Sequence, residues 1–190
     1  MVTTTARLSL EDYRDREAAA QVRHEFRNGE MIAIPGGSIN HSRITGAIYA
    51  LLLGLLEDLD FEPFNGELRL WIPELQMGTY PDVMVVAGEP VLNGDRTDEV
   101  LNPMLIAEVL SPSTSSYDRG DKFAAYRTIP SFQEYLLIEQ GRPAVEHHWK
   151  TEDGRWHLEE LRGLDAIAPL EHLPVQLPLA SLYRRVQFEN

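Results

Sequence analysis

Read for spacing alone, the chain switches between helical and extended patterns. From His41 to Leu59 the apolar residues Ile44, Ile48, Leu51, Leu52, Leu55 and Leu59 recur at helical intervals. This predicts a central helix whose apolar stripe is wide enough for a sheet on one side and a second subunit on the other. Upstream, Ser9 ahead of "LEDY" has the form of a helix N-cap with acids in the first turn, so a short helix is expected from about Ser9 to Ala20. Between the two helices, Asn28-Gly29 divides alternating segments in "HEFRNGEMIAI", the strongest short-range hairpin signal.

From Phe61 the pattern becomes extended. "FEPFNGELRLWI", "GTYPDVMVVAG" and "PMLIAEVL" are short runs of branched and aromatic residues broken by Gly, Pro and Asn, and read as strands. "SSYDRGDKFAAYRTIPS" reads as a short helix stopped by Pro130, and "FQEYLLIEQ", "AVEHHWK" and "RWHLEELR" as three further strands. The tail "LPVQLPLASLYRRVQF" is a Pro-punctuated edge with a brief helix. The fold class expected is α/β (α+β), a mixed central sheet flanked by helices with additional antiparallel hairpins, in one domain spanning residues 1–190.

One residue breaks its pattern. Glu108 interrupts an apolar strand just before Ser-Pro, where an unpaired carboxylate costs several kcal/mol unless a cation or hydrogen bonds compensate it. Asp82 stands 26 positions earlier, at the start of "YPDVMVV". If those strands pair in one sheet, the two carboxylates converge at its edge. Mg²⁺ takes one or two protein carboxylates and completes its shell with water and substrate. Asp82, Glu108 and the main-chain carbonyl of Val109 therefore form a candidate site for Mg²⁺ or Mn²⁺, an ion that polarises a phosphodiester and activates water.

Lys122 follows on the next helix and could face developing phosphate charge. Its bland alternative is an exposed Asp118–Lys122 helical pair worth about 0.3–0.5 kcal/mol. His41, opening the central helix, is a candidate proton shuttle, and Glu30, just past the hairpin turn, is a further acid. Each also reads as structural on its own.

Composition narrows the chemistry. The absence of cysteine excludes disulfides, thiolate zinc sites and Cys nucleophiles. "MVTTTARLSLEDYRDRE" lacks the basic start and apolar core of a signal peptide, and "ITGAIYALLLGLL" is too short for a membrane span, so a cytoplasmic protein is expected. A net charge of −13 argues against nonspecific coating of phosphate. His147 and His148 are adjacent in a strand and point to opposite faces. Gly36-Gly37-Ser38 lacks the rest of a phosphate loop. Ser111 and Ser113 lie in no nucleophile elbow.

"YPDVMVV" and "LIAEVLSPSTSSYDRGDKFAAYRTIPSFQEYLLIEQ", together with "LEDYRDRE", "HEFRNGEMIAIPGGSINHSRI" and "LYRRV", closely resemble the Uma-two family of endonucleases, a branch of the PD-(D/E)XK restriction-endonuclease-like superfamily. The resemblance covers nearly the whole chain. It implies a restriction-endonuclease-like mixed sheet, a divalent-metal site and cleavage of DNA phosphodiester bonds. Asp82 matches the Asp of the family's Pro-Asp and Glu108 its strand glutamate; Glu30 and His41 match recurring N-terminal positions. The superfamily lysine is expected two residues after the strand acid, where this chain has Leu110, and Lys122 matches a lysine displaced onto the adjacent helix.

Three functions follow from these observations: a metal-dependent endonuclease acting on DNA, a non-catalytic binding or regulatory module on the same scaffold, and a hydrolase of a small phosphorylated substrate. Arg43, Arg69, Arg119, Lys122 and Arg127 are the candidates for a basic path serving the first. The apolar central helix also suggests a homodimer.

Overall fold

Ser9 caps α1 (Leu10–Ala19): its side chain accepts the Asp12 N–H, and Asp12 accepts the Ser9 N–H in return. A computed structural model describes residues 7–188, so the first six residues of the N-terminal stretch lie outside the described residues. β1 (His24–Arg27) and β2 (Glu30–Ala33) form the expected hairpin. Asn28 and Gly29 both adopt positive φ, 52° and 80°, as a primed turn requires.

Ser38 caps α2 (Ile39–Leu55) by accepting the His41 N–H. The helix ends four residues short of the expected Leu59, and both Leu55 and Leu59 are exposed. Its buried stripe is narrower than the spacing suggested, running through Ile44, Ile48 and Leu52 to Leu56 just past the end, one residue per turn. Among the described residues no helix is long and apolar enough to cross a membrane.

The extended part comprises β3 (Phe61–Asn65), β4 (Arg69–Ile72), β5 (Met77–Thr79), β6 (Val83–Ala87), β7 (Glu99–Val100) and β8 (Pro103–Leu110). A continuous helical stretch follows: α3 (Ser115–Tyr117), a π-helical turn (Asp118–Lys122) and α4 (Phe123–Tyr126). Then come β9 (Glu134–Glu139), β10 (Ala144–Lys150), β11 (Trp156–Arg162), β12 (Ile167–Pro169), β13 (Gln176–Pro178) and α5 (Leu179–Leu182). The central sheet has the order β11-β10-β9-β8-β6-β3, with β8 and β9 parallel and the other pairs antiparallel. A second sheet runs β2-β1-β5-β4-β7, and β12-β13 forms a separate hairpin that the sequence pattern did not reveal. The fold is the expected mixed α+β architecture.

Alternation along β8 builds both layers of the core. Leu105, Ala107 and Val109 pack with the buried stripe of α2 and with α5, whereas Ile106 and Leu110 pack with α4 and the second sheet. Glu108 belongs by alternation to the Ile106–Leu110 face. That choice of face turns the strand carboxylate toward the helical stretch carrying Lys122.

Candidate active site

β6 and β8 pair antiparallel with Val83 opposite Ala107, which brings Asp82, one residue before β6, level with Glu108. Asp82 Oδ2 accepts the Val109 N–H at 2.8 Å and lies 3.2 Å from His41 Nε2 at the start of α2. Glu108 Oε1 is 2.7 Å from Lys122 Nζ and accepts the Tyr126 hydroxyl at 2.7 Å. Four separate elements thus meet at one sheet edge. Asp82 Oδ1 and Glu108 Oε2 have no donor among the described residues.

The π-helical turn shapes the third side. It buries both Asp118 and Lys122 and leaves Lys122 Nζ 3.6 Å from Asp118, so the pair expected on a solvent face is an interior one. Such turns are frequent at functional sites. Lys122 also lies 3.9 Å from Glu25 on β1, a buried acid that accepts the Thr79 hydroxyl at 2.5 Å and the Tyr117 hydroxyl at 3.1 Å.

Burial sets the electrostatics. Desolvation raises the Glu108 carboxyl to about 8, with the charges of Asp82 and Asp118 adding to the effect against the pull of Lys122. Asp118 is raised by burial in the same way. For Lys122 burial opposes the charge, yet the carboxylates of Glu108, Asp118 and Glu25 outweigh it and hold the ammonium protonated well beyond its usual range. The hydrogen bond to Asp82 raises His41.

These groups line an open cleft of about 1330 Å³. Asp82, Glu108, Val109, His41 and Lys122 all border it, so five of the six residues singled out in the sequence come together. Glu30 does not: it is exposed beside the hairpin turn, across from Arg27, and does not line the cleft. The N-terminal acid that reaches the site is Glu25, which the hairpin register carries inward. The expected basic path also fails to form, because only Lys122 of its five members lines the cleft. Arg69 is buried against Glu99 at 2.6 Å, Arg119 pairs with Glu139 and Glu146, and Arg127 lies over the Phe123 ring. Arg43 is only 3.4 Å from Asn40 on its own helix. The arginines that border the cleft are Arg23 and Arg27.

The donor set suits a hard cation. Among the described residues no three His, Asp or Glu side chains converge as a complete ligand set. Mg²⁺ needs only one or two carboxylates, and the donorless oxygens of Asp82 and Glu108 supply them.

A mixed sheet flanked by helices, with paired strand-end carboxylates and an adjacent lysine, defines the restriction-endonuclease-like class. The chain belongs to the Uma2 family, described as "Putative restriction endonuclease", which matches residues 10–180. It is 46% identical over 166 residues to "Uncharacterized protein sll1609" of Synechocystis, covering 87% of this chain and 94% of that one. It is 33% identical over 182 residues to "Uncharacterized protein slr1290" of the same organism, covering 96% and 94%. Its fold is similar to a solved "putative nuclease belonging to DUF820" from Anabaena variabilis, with TM-score 0.71 at 19% identity over 88% of this chain and 93% of that one.

Proposed function

We propose that the protein is a metal-dependent endonuclease that hydrolyses DNA phosphodiester bonds. The observation carrying this reading is the convergence of Asp82, Glu108 and Lys122 in one cleft, each carboxylate keeping one oxygen without a donor. Asp82, Glu108 and the Val109 carbonyl would hold Mg²⁺ or Mn²⁺, which supplies Lewis-acid polarisation of the phosphate and a lowered water pKa.

The chain's own groups do the rest. Lys122, protonated by its three neighbouring acids, faces the charge that develops on the phosphate rather than accepting a proton. Tyr126 and Lys122 together fix the Glu108 carboxylate through Oε1 and leave Oε2 without a donor among the described residues. His41 holds Asp82 at 3.2 Å and is the candidate proton shuttle beside it.

Five carboxylates line the cleft against three cationic side chains, which favours a second reading, a non-catalytic module on a nuclease scaffold. Incubating the purified protein with linear, circular and single-stranded DNA in Mn²⁺ or Mg²⁺ decides between them. Cleavage lost in Asp82→Asn supports the enzyme; no cleavage under any condition supports the module. The exposed Leu53, Leu55 and Leu59 give the proposed homodimer an apolar contact, to be checked by sedimentation.

A further inference from the structure

Arg23, Glu25 and Arg27 lie at alternate positions of one extended segment. Arg23 stands one residue before β1, but its carbonyl accepts the Ile34 N–H at 2.9 Å and continues the ladder. Side chains two apart in a strand share a face. Arg23, Glu25 and Arg27 line the cleft, whereas His24 and Phe26 do not. Glu25 stands at the level of Lys122, with one arginine to either side about 7 Å along the strand.

Both guanidinium groups are placed to receive anions. Arg27 lies over the Tyr117 ring at 4.7 Å and has no carboxylate within ion-pair distance among the described residues. Arg23 lies over the Tyr80 ring at 5.6 Å. Its Nη1 meets the Gly66 carbonyl and the exposed Glu67, leaving Nε and Nη2 without a partner among the described residues. Each guanidinium has an aromatic ring beside it, and a guanidinium fork matches a phosphate. The part of the wall built from Gly36-Gly37-Ser38 and Ser111 to Thr114 carries no lysine or arginine. Among the described residues the lysines and arginines of the cleft are Arg23, Arg27 and Lys122.

Resting on the nuclease reading of the cleft, we propose that Arg23 and Arg27 bind the phosphates on either side of the bond to be cut, so that β1 tracks the backbone of one nucleic-acid strand. A duplex would bring its second strand against a wall with no cation, in a protein of net charge −13. The substrate class is single-stranded polynucleotide, recognised through its phosphates.

Fluorescence anisotropy with oligothymidylate, oligouridylate and a matched DNA duplex tests this, with Asp82→Asn as the background so that nothing is cut. Arg23→Ala and Arg27→Ala are each expected to lower the slope of log affinity against log salt by about 0.7 on the single strands, and R23K and R27K to restore it. Unchanged slopes in both alanine variants, duplex binding as tight as single-strand binding, or no polynucleotide binding at all overturns the proposal. Cleavage by the unmodified protein in Mn²⁺ is read separately. Cutting with unchanged slopes keeps the nuclease reading and removes the phosphate track, whereas lowered slopes without cutting do the reverse.

Discussion

Lys122 Nζ stands 2.7 Å from Glu108 Oε1, although the two residues are separated by a Ser-Pro break and a helical turn. The position two residues after Glu108, where the superfamily strand carries its lysine, is filled by Leu110, buried in the core between α4 and the second sheet. A lysine there would replace a buried leucine of that core. The π-helical turn solves the same problem from the other side, bringing the ammonium back over the strand end.

Replacing Lys122 by Met should therefore separate catalysis from stability. Cleavage is expected to fall about 10²- to 10³-fold, the scale seen when a group stabilising transition-state charge is removed. Removing one partner of a buried pair costs about 3–5 kcal/mol when the other stays charged. Glu108 can escape that cost by taking up a proton, so the destabilisation should be small at pH 5 and large at pH 9. Urea unfolding of the metal-free variant at both pH values checks this; equal losses would show that Glu108 does not titrate with its partner.

The raised Glu108 carboxyl gives a second pH signature. Its folded-state value, about 8, exceeds that of the unfolded chain, so between the two the folded protein binds one proton more. The contribution of Glu108 to the stability of the metal-free protein is thus fully present below the ordinary carboxylate range and is lost as pH rises toward 8. A divalent cation requires the ionised form, so Mn²⁺ affinity should climb over the same interval and binding should release protons. Thermal melts with chelator and with Mn²⁺ across pH 5–9 read both trends. Glu108→Gln should flatten the metal-free slope and abolish the Mn²⁺ stabilisation.

Much of this site was legible before any coordinates. Asp82 and Glu108 stand out because a carboxylate in an apolar strand demands compensation, and pairing of their two strands in one sheet brings them together. Arg69 and Arg119, candidates for a basic path, do not serve one because sequence shows a positive charge but not its partner: Glu99 claims one, and Glu139 with Glu146 claims the other. Glu30 and Glu25 lie on the same hairpin, and choosing between them requires knowing which end of it meets the cleft. The alternation of Arg23, Glu25 and Arg27 was available as a signal. Tyr126 carried none, since its hydroxyl finds Glu108 only through packing across two elements.

Tyr126→Phe removes one hydroxyl and almost no volume. Glu108 keeps Lys122 but loses a buried donor, at a cost of about 1–3 kcal/mol of stability. If Tyr126 orients Glu108 for metal, Mn²⁺ affinity should also fall about 10- to 100-fold, the usual effect of removing a partner behind a ligand. Titration calorimetry on Tyr126→Phe separates the two effects. Lower stability with unchanged Mn²⁺ affinity would make the hydroxyl a packing group only.

His41 offers the sharpest contrast with Glu30. The hydrogen bond to Asp82 raises its pKa, so the charged pair is fully present below the unfolded histidine value and is lost as pH rises through the higher folded one. His41→Gln should lower cleavage about 10- to 100-fold, since the support behind Asp82 is lost, and should change the pH–rate profile in the neutral range. Glu30→Gln, on an exposed residue outside the cleft, should leave the rate unchanged and stability within about 0.5 kcal/mol. Rate profiles for both variants over pH 5–9 make the comparison. A loss for Glu30→Gln matching that for His41→Gln would mean that the hairpin turn, and not only the Glu25 end of β1, takes part in the site.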